Sequence, residues 1–155
     1  MPADFTIRPA TLEDIPEILR QRRGMYEDMH YTDAEAISAM LALTEEYLKE
    51  ALPEGSFRAW LAFDGDRAAG GGALVITPWP AHPYDLECRR ATILNVYTHR
   101  ECRRRGIARA VMQTILDWCR QQDFARVTLH ASEDGRPLYE SMGFEASNEM
   151  RLNLR

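Results

Sequence analysis

The spacing of apolar residues changes along the second half of the chain, and this change constrains the fold more than any other feature. From Arg90 to Tyr97 the residues are of the β type around the apolar pair Ile93-Leu94, which predicts a strand. From Gly106 to about Gln122 the apolar residues instead recur at helical spacing, at Ile107, Val111, Ile115 and Trp118. A strand therefore leads into a helix through a short connection rich in arginine.

A β-hairpin is predicted upstream of this unit. Residues 57–63 and 68–76 are β-type runs on either side of Asp64-Gly65-Asp66, and Asp-Gly between two such runs is a strong turn signal. The triplet Gly70-Gly71-Gly72 inside the second run indicates either a β-bulge or a close approach of another backbone.

Helices and strands are mixed along the rest of the chain. The other expected elements are a strand over 4–8, a helix from Thr11, a helix over about 33–51, a strand over 126–131, a short helix over 136–142, and one or two closing strands over 144–154. No internal repeat interrupts this order. The pattern predicts one α+β (mixed α/β) domain over residues 1–155, built on one sheet.

Composition excludes several classes of protein. A chain of 155 residues, 45% hydrophobic and 28% charged, is typical of one compact domain and unlike disordered or disulfide-scaffold proteins. No apolar run approaches the ~18 residues of a membrane span, and the first residues lack the pattern of a secretory leader. Three cysteines and four scattered histidines show no metal-ligand spacing, so we expect no metal and a cytoplasmic location.

Charge is distributed unevenly. Residues 1–55 hold 12 acidic and 5 basic residues, whereas residues 87–126 hold 9 arginines and 4 acidic residues. Lys49 is the only lysine. Because arginine favours planar bidentate contact with phosphate, the middle of the chain is suited to a phosphorylated ligand, although an arginine-rich genome explains the preference for arginine equally well. The net charge of −5 and the lack of aromatic residues in the basic run argue against nucleic acid.

The connection Arg103-Arg104-Arg105-Gly106-Ile107-Ala108 predicts a cradle for a pyrophosphate. Backbone N–H groups at a helix start lack intrahelical partners and carry the positive end of the dipole, and Gly106 lets a ligand approach. An arginine-rich helix start that faces solvent is the alternative. Neither a Walker loop nor a GxGxxG fingerprint is present, so the phosphate-bearing cofactor must be of another kind.

Three motifs together resemble the GNAT superfamily of N-acetyltransferases. They are Ile93-Leu94-Asn95-Val96-Tyr97, then Arg103-x-x-Gly106-x-Ala108, then Leu138-Tyr139-Glu140-x-x-Gly143-Phe144. The resemblance implies a central, mostly antiparallel sheet that splays open and is flanked by helices. It also implies acetyl-CoA as cosubstrate, with its pyrophosphate on the amides from Arg104 to Ala108 and its pantetheine along the strand near Val96.

The resemblance also assigns roles to individual residues. It places the following against acetyl-CoA: Leu94, Val96, Tyr97, Thr98, Arg103, Arg104, Arg105, Gly106, Ile107, Ala108, Arg109 and Ser132. Ser132 stands where the family often has asparagine. Tyr139 is expected to protonate the departing thiolate, and Tyr26 and Glu27 lie where the family often contacts the acceptor. A homodimer is a further expectation from the family.

The acceptor and the general base stay open. A small-molecule or peptide amine would attack directly in a ternary complex, and its base could be Glu27, Asp28, Glu87, His99 or His130. We nominate Glu87 because it precedes the cofactor strand. Two alternatives from other classes are a non-catalytic CoA-binding regulatory module and, more weakly, an RNA-binding protein that uses the arginine run.

Overall fold

A five-stranded sheet forms the centre of the protein, in the order β1-β2-β3-β4-β5. The computed structural model describes residues 4–155. The strands are β1 Thr6–Pro9, β2 Phe57–Asp64, β3 Arg67–Pro78, β4 Arg89–Thr98 and β5 Val127–Leu129. The helices are α1 Ile15–Asp28, α2 Ala34–Glu54, α3 Ile107–Gln121 and α4 Arg136–Ser141, with 3₁₀ turns at Leu12–Asp14 and Arg100–Cys102.

The sheet is antiparallel from β1 to β4, and β5 joins β4 in parallel. The Asp-Gly hairpin is confirmed, because Asp64 pairs with Arg67 across the turn between β2 and β3. Mostly antiparallel pairing in one sheet with helices around it confirms the predicted α+β class.

The glycine triplet combines the two features expected of it. The register between β3 and β4 shifts between Gly71 and Ala73, which is a β-bulge. A Cβ on Gly70 would lie 2.6 Å from the carbonyl oxygen of Tyr97, and one on Gly71 would lie 2.7 Å from Gln21 Oε1. Three steps of β4, from Leu94 to Tyr97, face two steps of β3 at this bulge, so its extra residue lies in β4. Since real Cβ atoms do not approach so closely, β3 needs these glycines for its contacts with β4 and α1.

Two apolar clusters hold helices on opposite faces of the sheet. One contains the predicted helical stripe of α3, whose Ile107, Val111 and Ile115 are at most 2% exposed. The other packs Ile18 of α1 and Leu48 of α2 against Leu61. The sheet therefore separates an α1–α2 side from an α3–α4 side.

The prediction of closing strands over 144–154 is wrong for this structure. β5 is also shorter than predicted, with three residues in place of the six over 126–131. Residues 144–155 form no strand, although Met150, Leu152 and Leu154 alternate with polar residues as a strand would require. These three side chains are 94%, 81% and 87% exposed, so the pattern is present but nothing within residues 4–155 pairs with it.

Among the described residues, no helix is both long and apolar enough to span a bilayer.

Candidate functional site

A wedge opens between β4 and β5. The two strands pair only at Ala91, Thr92 and Ile93, opposite Val127 to Leu129, after which β5 ends and β4 continues to Thr98. Asn95 adopts a φ of 57° next to the bulge with β3, so β4 bends where it loses its neighbour. Among residues 4–155, no strand pairs with the backbone of β4 from Leu94 to Thr98 on its β5 side.

The segment from Arg104 to Arg109 presents a row of free backbone amides at the end of this wedge. Within residues 4–155 none of these six N–H groups has a hydrogen-bond acceptor, and the first bond of α3 runs from Ala110 N to Gly106 O at 3.1 Å. Gly106 has a φ of 78°, a left-handed conformation that glycine adopts at little cost. Free amides at a helix start are what the predicted cradle requires of this segment.

The arginines of the connection differ in how they are held. Arg103 donates to the carbonyl oxygen of Thr98 at 2.8 Å and also binds the Asp28 carboxylate. Arg105 pairs with Asp64 at 2.9 Å, and Arg109 donates to Ser141 Oγ at 2.6 Å. The Arg104 side chain makes no hydrogen bond or ion pair in the described part of the chain.

Asp28 ties the end of α1 to the cradle. Its carboxylate accepts hydrogen bonds from Arg103 and from Arg100, the latter at 3.0 Å. Burial opposes ionisation of Asp28, but these two guanidinium groups outweigh burial and lower the pKa of the carboxyl below its usual value. Part of the acidic excess of the first 55 residues is thus used to hold the arginine-rich connection in place.

Tyr139 lies on α4 with its ring partly buried. The ring packs edge-on against Phe144, with centroids 6.0 Å apart, and covers Gly135, where a Cβ would come within 2.9 Å of it. Its hydroxyl reaches solvent and makes no hydrogen bond within residues 4–155. Burial raises the pKa of Tyr139 above its usual value, so the phenol stays protonated at neutral pH.

Ser132 lies in the loop between β5 and α4. Its Oγ accepts a hydrogen bond from the backbone N–H of Gly135 at 3.1 Å, beneath the ring of Tyr139. Ser132 therefore shapes the turn that carries the tyrosine.

On the α1–α2 side, Tyr26 and Glu27 occupy the end of α1. Tyr26 contacts the guanidinium of Arg22 through its ring at 5.1 Å, whereas Glu27 is exposed and lies 3.9 Å from Arg23. Arg22 Nη1 in turn donates to Asn95 Oδ1 at 2.6 Å. The Arg22 side chain thus links the Tyr26 ring to Asn95 at the bend of β4.

Glu87 lies in the loop before β4. It is exposed, and its backbone N–H donates to Asp85 Oδ1 at 3.3 Å. The wedge begins near Leu94, five residues after the start of β4 at Arg89, which is roughly 17 Å along a strand. Glu87 therefore precedes β4 at the end opposite to the wedge.

Two pairs at the site were not anticipated from the sequence. One is the pair Arg22–Asn95. The available signal in the sequence was Asn95 itself, a polar residue within the apolar run Ile93-Leu94-Asn95-Val96. The other is Glu17 with His99, whose Oε1 and Nε2 atoms lie 2.8 Å apart below the connection to α3. No local pattern links residues 82 positions apart.

Comparison with known proteins gives matches in sequence and in structure. A sequence model of the acetyltransferase (GNAT) family matches residues 17–144 of this chain. N-acetyltransferase 8 of Homo sapiens is 28% identical over 122 residues, 77% of this chain, and YsnE of Bacillus subtilis is 33% identical over 98 residues, 60% of this chain. The chain spans 50% and 58% of the lengths of these two relatives.

Solved structures match over nearly the whole chain. A GCN5-related N-acetyltransferase from Ralstonia eutropha is 31% identical with a TM-score of 0.89, covering 97% of this chain and 98% of that one. An acetyltransferase from Clostridium acetobutylicum, solved with acetyl-CoA, is 24% identical with a TM-score of 0.87, covering 97% of this chain and 96% of that one, and shows the same fold. On the family match and these similarities, the chain belongs to the acetyltransferase (GNAT) family.

Proposed function

We propose that this protein transfers the acetyl group of acetyl-CoA to a primary amine by direct attack in a ternary complex. The observation that carries the proposal is the row of free amides from Arg104 to Arg109, placed beside the unpaired edge of β4. A pyrophosphate requires the first feature, and an extended chain of amides such as pantetheine requires the second. The Clostridium acetobutylicum structure, which contains acetyl-CoA, has the same fold.

The cradle residues would bind the cofactor mainly through their backbone. Arg103 and Arg105 already pair with carboxylates, so the Arg104 side chain is the cation most free to meet a phosphate. Val96 would supply strand backbone to the pantetheine. Leu94 and Tyr97 would also contribute backbone, because their side chains are already packed against other elements. The Leu94 side chain packs into the α1–α2 cluster, and the Tyr97 ring lies against Gly24 of α1. Ile107 is buried and anchors the helix start, while Ala108 keeps it narrow.

Tyr139 would donate the proton that the reaction requires at sulfur. The amine nitrogen bonds to the thioester carbonyl carbon, the carbon–sulfur bond breaks, and sulfur takes the phenolic proton. A phenol with a pKa at or above ~10 is a weaker acid than a thiol of ~8.5, so this transfer is uphill by about 2 kcal/mol or more. The proton should therefore move as the carbon–sulfur bond breaks, after which water returns a proton to the phenolate.

Glu27, His130 and water in the wedge are the remaining candidates for removing the proton of the amine. Glu87 lies at the other end of β4, Asp28 is held by two arginines, and the His99 side chain is only 8% exposed. The acceptor would approach from the α1–α2 side near Tyr26 and Glu27. A small-molecule amine and a peptide amine both fit this description.

The proposal includes three further expectations. The first is a cytoplasmic location, because the free cysteines Cys88, Cys102 and Cys119 suit a reducing compartment. The second is that the cysteines take no part in the transfer, because Cys102 and Cys119 are buried and burial raises the pKa of Cys119 to about 11. A homodimer is the third expectation.

The test compares binding and turnover in one set of samples. Thermal shift with acetyl-CoA, CoA and ATP at matched concentrations should show stabilisation by both CoA species beyond that by ATP. A panel of amines followed by thiol release should then identify acceptors. CoA binding with no thiol release from any amine class would favour the regulatory module, and the lack of a CoA-specific shift would overturn the proposal.

A further inference from the structure

Arg22 of α1 is a partly buried cation without a carboxylate partner. Helix α1 carries three arginines, and the other two pair with acids of the same helix, Arg20 with Glu17 at 2.7 Å and Arg23 with Glu27 at 3.9 Å. Within residues 4–155 the Arg22 guanidinium has no carboxylate within 4 Å, and its hydrogen bonds all run to neutral groups. Charges withdrawn from water are normally paired with an opposite charge, so Arg22 lacks the kind of partner that its burial favours.

The neutral partners leave part of the guanidinium free. Nη1 of Arg22 donates to Asn95 Oδ1 at 2.6 Å, Nη2 to the Tyr26 hydroxyl at 3.4 Å, and Nε to Met40 Sδ at 3.3 Å. These bonds use one N–H of each nitrogen, and each terminal nitrogen carries a second N–H. A planar carboxylate accepts hydrogen bonds from both terminal nitrogens of a guanidinium at once.

Donors on the two neighbouring side chains also lack acceptors. The Asn95 side chain is buried, with the residue 6% exposed, and its oxygen must face Arg22 because a guanidinium only donates. Asn95 Nδ2 and the hydroxyl proton of Tyr26 then have no acceptor in residues 4–155. Nδ2 can be reached from solvent, since Arg89 Nε is the one described side-chain atom that is both sealed and unpaired. Donors of three residues therefore gather where this part of the chain supplies no acceptor.

These three residues, Arg22, Tyr26 and Asn95, which we call the donor cluster, lie on the α1–α2 side of the wedge. Asn95 belongs to the part of β4 that has no β5 neighbour among residues 4–155, and its side chain points to α1. The next residue, Val96, packs on the α3 side instead and would supply backbone to the pantetheine. The donor cluster is therefore one residue along β4 from the proposed path of the cofactor, on the side from which the acceptor would approach.

We propose that the acceptor carries a carboxylate close to its amine, as an amino acid does, and that the donor cluster binds this carboxylate. The inference rests on the acetyl-transfer function proposed above and narrows its acceptor. The free N–H groups of Arg22, Asn95 Nδ2 and the Tyr26 hydroxyl would donate to the two carboxylate oxygens. With the carboxylate held there, an amine a few bonds away would reach the thioester. A peptide amine lies far from its own terminal carboxylate and would leave the donor cluster unpaired.

Matched pairs of acceptors test the proposal. Amino acids and their carboxamides have the same shape but differ in charge, and both are followed by thiol release from acetyl-CoA. The carboxamide holds more of its amine in the neutral, reactive form, so nucleophilicity alone favours the carboxamide. We expect the best amino acid nevertheless to exceed its own carboxamide by about thirtyfold or more in kcat/KM. Equal or faster turnover of carboxamides or peptides would overturn the proposal and leave acetyl transfer itself in place.

Two neighbouring arginines provide matched variants. Arg22→Gln should reduce the preference for the carboxylate by about tenfold or more through the KM of the amino acid, with the KM for acetyl-CoA changed by less than about threefold. Arg23→Gln removes the same charge from the next residue and should leave the preference unchanged. Equal losses in the two variants would mean that the net charge of α1 sets the preference, which contradicts binding at Arg22.

Asn95→Asp separates carboxylate binding from a structural role of Arg22. This change places a carboxylate against Arg22 with almost no change in side-chain shape, so a merely structural link between α1 and β4 would be strengthened and activity kept. Under the proposal the internal carboxylate occupies the donor cluster. Thermal stability should then be unchanged or higher while the preference for amino acids falls by about tenfold or more. A preference that survives in Asn95→Asp would refute the carboxylate site.

A binding measurement decides the proposal even if no acceptor in the panel is acetylated. NMR follows the arginine Nε–H signals of the CoA-bound protein during titration with N-acetylglycine or N-acetylglycinamide, and the Arg22 signal is identified by its loss in Arg22→Gln. The carboxylate should shift the Arg22 signal but not that of Arg23, and the amide should shift neither. An Arg22 signal that does not respond to the carboxylate would overturn the site. A lack of thiol release from every amine would instead count against acetyl transfer.

Discussion

His99 Nε2 lies 2.8 Å from Glu17 Oε1, and this contact joins helix α1 to the start of the connection that leads to α3. The His99 backbone is fixed as well, since its N–H donates to Ala69 O at 2.8 Å. Glu17 also accepts hydrogen bonds from Arg20 at 2.7 Å and from Gln21 at 2.9 Å. One carboxylate thus holds α1 and the loop below the cradle together.

Acid should destabilise the protein through Glu17. Burial opposes ionisation of this carboxyl, but the hydrogen bonds from Arg20, His99 and Gln21 outweigh burial and lower its pKa below the usual 4.5. Its contribution to stability is therefore complete above about pH 4.5 and is lost as the pH falls through the lower pKa of the folded state. Glu17→Gln should cost about 1–3 kcal/mol at neutral pH and flatten the acid limb of stability, measured by urea unfolding from pH 3 to 7. Glu46→Gln, which breaks an exposed pair with Lys49, should change stability by about 0.5 kcal/mol or less.

Replacing Tyr139 should separate turnover from binding. In Tyr139→Phe the ring still packs on Phe144, and no hydrogen bond of the described chain is lost, so folding and CoA affinity should be unchanged. Turnover should fall about 10²- to 10⁴-fold, as for loss of a general acid. Thiol release and calorimetric CoA titration measure the two quantities, and Tyr84→Phe at a 90% exposed position is the control. Unchanged turnover would remove Tyr139 from the mechanism.

The pH profile provides a separate test of the same residue. Because burial raises the pKa of Tyr139, its proton is retained until the pH exceeds the usual phenol value of 10. The rate should therefore show no loss attributable to this phenol below about pH 10. A basic limb near pH 8 that disappears in Tyr139→Phe would contradict this assignment.

The cradle can be tested with two glycines of similar geometry. Gly106 has a φ of 78° and Gly65 a φ of 60°, and a Cβ on either would meet nothing within 4 Å. Alanine at each position should therefore cost stability through backbone strain alone, about 1–2 kcal/mol. Only Gly106→Ala disturbs the amides at the start of α3, so it alone should raise the KM for acetyl-CoA, by about tenfold, the equivalent of 1.4 kcal/mol. An equal rise in Gly65→Ala would mean that reduced stability, not the cradle, causes the effect.

Removal of one guanidinium should weaken cofactor binding in a salt-dependent way. We expect Arg104→Gln to raise the Kd for CoA by about three- to tenfold at low salt, with a smaller difference at high salt, because its side chain reaches no carboxylate in residues 4–155. Arg120→Gln is the control, since Arg120 pairs with Asp117 at 3.3 Å near the other end of α3. The two Kd values would be measured by titration calorimetry at two ionic strengths.

Features written in local sequence were predictable, and contacts between distant residues were not. Asp64-Gly65 indicated its hairpin, and the stripe from Ile107 to Ile115 indicated α3, because turn geometry and helical period are local properties. The placement of Gly106 immediately before α3 was predictable for the same reason. The pairs Arg22–Asn95 and Glu17–His99 depend on how α1 is seated against β4, which no local pattern encodes.

The closing strands over residues 144–154 were a wrong prediction for a related reason. Met150, Leu152 and Leu154 alternate with polar residues as in a strand, but a strand also needs a neighbour, and pairing is not a local property.

The glycine triplet also sets the thickness of the sheet between the two helical layers. A Cβ on Gly71 would meet Gln21 of α1, and a Cβ on Gly72 would lie 2.9 Å from Val111 of α3. At this point only backbone lies between the helix of the proposed acceptor side and the helix that begins at the cradle. Any larger residue would push the two helices apart, so the glycines fix the spacing of α1 and α3 across β3.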